Sequence, residues 1–195
     1  MRLRDIATIR TGLVTARKKA SVIDKKNILY KTVTLKSFSP DGTLMVDNLD
    51  TFVSKEKIKE TYLTQRNDVL IRLRVPNVAL HIDSENISLV IPSFVASLRV
   101  DESKVDSKFL TYYLNSSIAK KTLNSSITGT AINMIKTKEL EGLEMQLPSL
   151  QEQKKIVNFL DLARKEISLL EELKNQKERY YKQVFNNILK KADAK

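Results

Sequence analysis

The chain of 195 residues carries 34 Lys+Arg against 23 Asp+Glu, a formal net charge of +11, and 42% of it is hydrophobic. That length suits one ordinary domain with an appendage, and the apolar content supports a real core, which excludes wholesale disorder. With no Cys and one His (His81), disulfide frameworks, thiol catalysis and zinc sites built on Cys or several His are excluded. No apolar run approaches the ~18–20 residues of a membrane span, and Met1-Arg2-Leu3-Arg4-Asp5 lacks the apolar core of a signal peptide. The expectation is a soluble, cytoplasmic, basic protein.

The charge is uneven. The first 36 residues hold ten cations, among them Arg17, Lys18, Lys19, Lys31 and Lys36, against Asp5 and Asp24 alone. Such a concentration suits an electropositive surface facing a polyanion, where Lys and Arg neutralise phosphates and release counterions. A merely solvated face is the blander reading of the same count.

In chain order, residues 1–100 read mostly as strand. Ser39-Pro40-Asp41-Gly42 is a turn signal, since Pro presets φ and Gly supplies positive φ. It divides strand-like residues 30–35 from 43–46. Residues 54–60 read as a short, exposed helical turn. The sharpest strand is 68–75, where Val69, Ile71, Leu73 and Val75 alternate with Leu70, Arg72 and Arg74. If Pro76-Asn77 is a two-residue loop, Leu73 faces Leu80, Ile71 faces Ile82 and Arg72 faces His81. Pro-Asn is not a favoured hairpin dipeptide, so a longer connection stays open. Residues 89–91 and 94–98 supply further strands around Pro92.

Residues 105–140 read as short helices and loops. Asp106-Ser107 is a candidate N-cap for a helix over 108–114, with a second over 118–123. Tyr112 and Tyr113 read as core residues. A hydroxyl-rich segment around Gly129 reads as a loop. From 151 to 189 there is neither Pro nor Gly, which predicts one helix of about 58 Å at ~1.5 Å per residue. Ile156, Leu160, Ala163, Ile167 and Leu170 recur at coiled-coil spacing. Lys174 and Lys177 interrupt the apolar seam, which resumes at Tyr181, Val184 and Ile188. A second stripe, with Phe159, Leu162 and Leu169, widens the apolar surface.

Catalytic patterns are thin. None of the four glycines forms a phosphate-cradling motif, and His81 falls mid-strand. Asp83 with Glu102-Ser103-Lys104 has the spacing of a metal-dependent nuclease site, a short charged pattern that arises readily by chance in such a chain. The chain reads as a binder, with no catalytic residues and no metal site.

One larger pattern covers nearly the whole chain. Gly129-Thr130-Ala131-Ile132-Asn133, then Leu140-Glu141-Gly142-Leu143, then Leu147-Pro148-Ser149-Leu150-Gln151-Glu152-Gln153-Lys154-Lys155-Ile156 resembles the close of a target-recognition domain in type I restriction–modification specificity subunits. Leu3-Arg4-Asp5-Ile6-Ala7-Thr8-Ile9-Arg10-Thr11-Gly12, Asn67-Asp68-Val69-Leu70-Ile71 and Phe109-Leu110-Thr111-Tyr112-Tyr113-Leu114 resemble earlier segments of that family, in the same order. Ser149 stands where Pro is frequent, and Asn67 where Gly is usual; Asn also tolerates positive φ. The usual member has two recognition domains and two long helices, against one of each here.

The resemblance implies an α+β fold: a target-recognition domain over 1–148, then a long helix over 149–195 for coiled-coil pairing and spacing. It implies a non-catalytic subunit that reads half of a bipartite site in double-stranded DNA. Family helices pack antiparallel as a spacer, so two copies of this chain would form a homodimer that reads a gapped palindrome. Methyltransferase (M) subunits with S-adenosylmethionine, and a restriction (R) subunit with ATP and Mg, would supply the chemistry; this chain would hold no cofactor and no membrane contact. Candidate phosphate contacts are Arg17, Lys18, Lys19, Lys31 and Lys36. Candidate base contacts are Arg72, Arg74 and Asn77, with Thr128, Thr130 and Asn133 from the Gly-Thr loop. An alternative is a helical interaction protein that pairs with another specificity half or a methyltransferase without reading DNA.

Overall fold

Strand β1 (Ala7–Thr11) leaves the first turn of the chain and pairs antiparallel with a strand ninety residues further on, β6 (Val95–Val100), in the register Ala7↔Val100 to Thr11↔Ala96. Between them the chain forms β2 (Ile28–Thr32), β3 (Asp50–Ser54), β4 (Val69–Arg72) and β5 (Ala79–His81); α1 (Ser107–Asn115), α2 (Ser117–Ser125), α3 (Thr137–Glu141) and α4 (Leu150–Ala192) follow. These elements come from a computed structural model, which describes residues 1–21, 27–125 and 134–192. The strand-then-helix order is α+β, as the resemblance implies. One antiparallel sheet has the order β1-β6-β4-β5, and β2 and β3 form a separate pair. The chain divides into two units, Met1–Lys154 and Lys155–Lys195.

The central strand β4 explains the core and corrects a register. Val69, Leu70 and Ile71 are all fully buried, so both faces of the strand are covered. β5 pairs as Val69↔His81, Leu70↔Leu80 and Ile71↔Ala79, three residues away from the register of a two-residue loop. An odd shift exchanges the faces: Leu80 sits beside Leu70, and Arg72 lies opposite Val78 rather than His81, donating its backbone N–H to the Val78 carbonyl at 3.0 Å. Apolar alternation could not select the face because apolar surface covers both. Val75, placed on the apolar face by alternation, is instead 42% exposed in the long connection.

Two more local expectations give way to long-range pairing. β2 ends at Thr32 and takes β3 as its partner, from Ile28↔Ser54 to Thr32↔Asp50, so the expected strand at 43–46 contributes only the isolated bridge Phe38↔Leu44. The turn between them forms as expected, with Gly42 at φ 85° donating to the Ser39 carbonyl at 3.0 Å. The expected helical turn at 54–60 does not form there and a turn starts only at Glu60–Tyr62; Ser54 closes β3, and its hydroxyl donates to the Glu56 carbonyl at 2.7 Å. Residues 89–91 run as single bridges, with Val90 paired to Thr32 on one side and Leu63 on the other. Asn67 adopts φ 64°.

Close approach constrains Gly12. A Cβ there would lie 2.3 Å from the carbonyl oxygens of Ile91 and Pro92, because Leu13 N–H donates to Ile91 O at 2.7 Å. At the far edge of the sheet, the Asn115 amide accepts from Ala79 N–H at 2.9 Å and donates to Ala79 O at 2.7 Å. The side chain thus acts as a strand partner for edge strand β5. Asp106 caps α1 as expected, accepting from Lys108 N–H and Phe109 N–H, and Leu110 and Leu114 bury its inner face. Tyr113 is half-buried and donates to the Glu144 carbonyl at 3.3 Å.

Helix α4 starts with a reciprocal cap. Glu152 N–H donates to Ser149 Oγ, while Glu152 Oε2 accepts from Ser149 N–H at 2.9 Å and from Ser149 Oγ at 2.7 Å. It then runs for 43 residues, slightly beyond the expected 151–189. Its first turn belongs to the first unit through Gln153, which is fully buried.

Candidate nucleic-acid interface

The N-terminal basic cluster is organised by β3. Lys19 bridges Ser54, and Ala20 N–H donates to Val53 O at 2.9 Å. β2 occupies the opposite edge, so residues 18–20 extend the small sheet where β3 ends. Arg17 and Lys19 are exposed there. Lys18 is half-buried and hydrogen-bonds Glu56. That hydrogen bond, and then the charge of the ammonium, holds the Glu56 carboxyl below its usual range. Lys18 is therefore partly neutralised, a contact that charge counting over 1–36 could not anticipate.

Lys31 stands on the outward face of β2, exposed, with its Nζ 3.5 Å from Thr51 Oγ1 on β3. Lys36 is exposed in the turn Leu35–Ser37. That turn is held by Thr34, whose Oγ accepts from Lys36 N–H and Ser37 N–H and whose hydroxyl donates to Asn48 O at 2.8 Å. Asn48 Nδ2 returns a bond to Lys36 O at 3.2 Å. An open groove of about 530 Å³ results, lined among others by Thr32, Thr34, Lys36, Asp47, Asn48 and Asp50. Sequence reading missed Thr34, Asp47, Asn48 and Asp50; only the Thr34/Ser37 cap pattern could have marked the turn. The groove offers donors, acceptors and both charge signs, which suits readout of polar edges better than phosphate attraction alone.

The Arg72 guanidinium donates from Nη1 to Leu35 O at 3.4 Å, so it joins the same turn as Lys36. Its Nε is enclosed with no partner among the described residues. Arg74 is exposed, and its backbone bridges Met134. Thr128, Thr130 and Asn133 lie outside the described residues. Asn77 must be corrected: it is 5% exposed, and its Nδ2 donates to Arg72 O at 2.8 Å and Leu73 O at 3.2 Å. Its amide nitrogen holds the β4–β5 connection, and burial keeps the side chain from a base edge.

The nuclease spacing dissolves into local structure. Asp83 Oδ1 accepts from Glu85 N–H, Asn86 N–H and Asn86 Nδ2; Glu102 accepts from Asn67 Nδ2 at 2.7 Å; Lys104 pairs with Asp101. Among the described residues no group of His, Cys, Asp and Glu is arranged to hold a metal. Asp68, nearly buried, accepts from Arg99 Nε at 3.1 Å. Burial pushes its carboxyl up, while Gln65 N–H and Arg99 pull it down. This pair ties the residue before β4 to β6.

On α4, the expected seam residues Ile167, Leu170, Tyr181 and Ile188 are each more than half exposed, and Ile156 is 37% exposed. Leu160, Ala163 and Val184 are intermediate. No described helix is long and apolar enough to cross a membrane.

A family model, type I restriction modification DNA specificity domain, matches residues 1–179. A Methanocaldococcus jannaschii protein assigned as a type I restriction enzyme MjaX specificity subunit is 31% identical over 122 residues, 63% of this chain and 28% of that protein. The fold is similar to that of the HsdS subunit from Thermoanaerobacter tengcongensis, with a TM-score of 0.68 and 13% identity over 89% of this chain and 43% of that one. A chain from a structure of a type I R-M system gives a TM-score of 0.63 at 21% identity, over 94% of this chain and 42% of that chain. The chain thus spans less than half the length of these relatives. It belongs to the type I restriction modification DNA specificity domain family.

Proposed function

From that membership, we propose that the chain is a specificity subunit that reads one half of a bipartite site in double-stranded DNA. The observation that carries the reading is the family match over residues 1–179, which takes in the basic N-terminal cluster, the polar groove and most of the long helix together. Arg17, Lys19, Lys31 and Lys36 would contact phosphates and set the register on the duplex. Lys18 contributes less, because it already donates a hydrogen bond to Glu56. Arg72 at the end of β4 and Arg74 just after it, with Thr128, Thr130 and Asn133 further along the chain, would meet base edges.

With one recognition unit and one long helix, over 1–148 and 149–195, two copies would pair through the helix as an isologous homodimer. Two identical halves then read inverted copies of one sequence, separated by a spacing the helices define. The chain itself does no chemistry. M subunits with S-adenosylmethionine would methylate the site, an R subunit with ATP and Mg would restrict, and the complex would work in the cytoplasm.

The test is modification-sensitive sequencing of DNA from cells that co-express the chain with its methyltransferase. A methylated gapped palindrome that appears only with this chain is the expected result. A non-palindromic bipartite motif would require an unlike partner half. A stable complex with the methyltransferase but no methylated motif would sink the DNA-reading function and leave a helical interaction protein.

A further inference from the structure

We propose that Lys174 and Lys177 hold the long helix and a second copy of this chain, paired in the antiparallel direction that the family resemblance implies, in one register, with every opposed seam pair equidistant from Glu172. The inference rests on the two-copy pairing proposed above and adds what selects its geometry.

The two lysines do not break the spacing. Ile156, Leu160, Ala163, Ile167, Leu170, Lys174, Lys177, Tyr181, Val184 and Ile188 follow one another at alternating steps of four and three along a single helix. The lysines therefore occupy seam positions, and the seam is symmetric about residue 172. Laid antiparallel on itself, the helix sets Ile156 against Ile188, Leu160 against Val184 and Ala163 against Tyr181. Small thus meets large at the Ala163 layer, as dense packing requires. Ile167 then faces Lys177 and Leu170 faces Lys174, so each lysine lays its methylene stem on an aliphatic side chain and turns its ammonium outward.

Charge favours that same direction in this chain. In a parallel pair, Lys174 would face its own copy and Lys177 would do the same in the next layer, crowding four ammoniums into two adjacent layers. In the antiparallel pair they occupy four separate layers. There, Lys174 enters the hole of the second copy that includes Glu171, and Lys177 the hole that includes Glu166. Within its own helix Lys174 also reaches Glu178 at 3.9 Å. A polar residue at a seam position typically fixes orientation and register at some cost in stability.

Charge and overlap also decide the register. A slip of one heptad one way opposes Lys174 to Lys177 of the second copy. A slip the other way sets Val184 and Ile188 against Gln153 and Ser149, which removes two apolar layers. The symmetric register alone uses all ten seam residues and opposes no lysine to another.

The full chain contains no Cys, so introduced thiols report without background. Leu160→Cys and Val184→Cys are made separately in the full chain, oxidised mildly alone and as a mixture, with the mass in solution measured by sedimentation. Expected is a covalent dimer in the mixture and almost none from either variant alone. Self-crosslinking of each variant alone would show a parallel pair and overturn the proposal. A dimer that crosslinks in neither format would overturn the register while sparing the two-copy reading; a monomer at micromolar concentration would overturn both. The lysines are tested by adding Lys174→Leu and Lys177→Leu to Leu160→Cys. Self-crosslinking should rise at least tenfold; an unchanged pattern would remove the lysines as the cause.

Discussion

Gln153 and Asp106 lie 47 residues apart, yet Gln153 Oε1 accepts the Asp106 backbone N–H at 2.8 Å. The same side chain donates from Nε2 to Lys104 O at 3.1 Å and Pro148 O at 2.8 Å. One amide thus fixes the start of α1, the turn before it and the entrance of α4. With Gln153 fully buried, truncation leaves one donor and two acceptors to find water. Gln153→Ala should lower stability by about 2–3 kcal/mol, read from urea unfolding with an unchanged m-value. A loss below about 0.5 kcal/mol would contradict this role.

Gly12 should tolerate no side chain. A methyl at 2.3 Å from two carbonyl oxygens forces β1 away from residues 91–92, where the opposing atoms are backbone and cannot rotate aside. Gly12→Ala should cost about 2–4 kcal/mol. Thermal unfolding checks it, with Gly142→Ala as the control, since its nearest neighbour to a new Cβ is at 3.4 Å.

Asn77→Ala should act on stability rather than on DNA. Removing the amide takes one donor from the carbonyls of Arg72 and Leu73, of which Leu73 O keeps the Ile135 N–H at 2.8 Å, at a cost of about 1 kcal/mol. The salt dependence of DNA binding should stay as in the parent. A lowered slope without lost stability would restore Asn77 as a contact residue.

Asp101 predicts an acid step. Its carboxylate accepts from the Ser103 hydroxyl at 2.6 Å and the Lys104 ammonium at 2.9 Å, and these bonds, with Ser103 N–H, hold its pKa down to about 2 from 3.8. Because the folded value is depressed, the contribution is complete above the unfolded value and is lost as pH falls from about 4 through about 2. Urea midpoints should fall less steeply across that window in Asp101→Asn than in the parent. The group is exposed, so the difference should be small.

Phosphate and base contacts should separate by their salt behaviour. Each phosphate neutralised adds about 0.9 to the slope of log K against log salt. Lys31→Ala with Lys36→Ala should lower that slope by about 2 and leave the methylated motif unchanged. Arg72→Ala should instead relax one position of the motif, at about 1–3 kcal/mol of discrimination. An unchanged slope in the double variant would remove these lysines from the DNA surface.

The features legible in the sequence were those written in short stretches of it. The Asp106 cap, the Pro- and Gly-free run behind α4 and the turn at Gly42 each depend on residues within a few positions of one another. So does the resemblance that named the family, since its motifs are local and only their order is global. Lys18 illustrates the limit: its sequence marks it as a free cation, but Glu56, brought beside it by β3, takes up its charge.

By itself the sequence determined the succession of strands and then helices, the single long helix, and the concentration of cations in the first 36 residues. Only the tertiary structure decided which strands pair, in what register, and which polar side chains remain available. β4 shows why. Apolar surface covers it on both faces, so period-two alternation carries no information about face, and β5 shifts by three residues until packing and the Asn77 bonds are satisfied together. A strand buried on both sides takes its register from its neighbours, and those neighbours lie far along the chain.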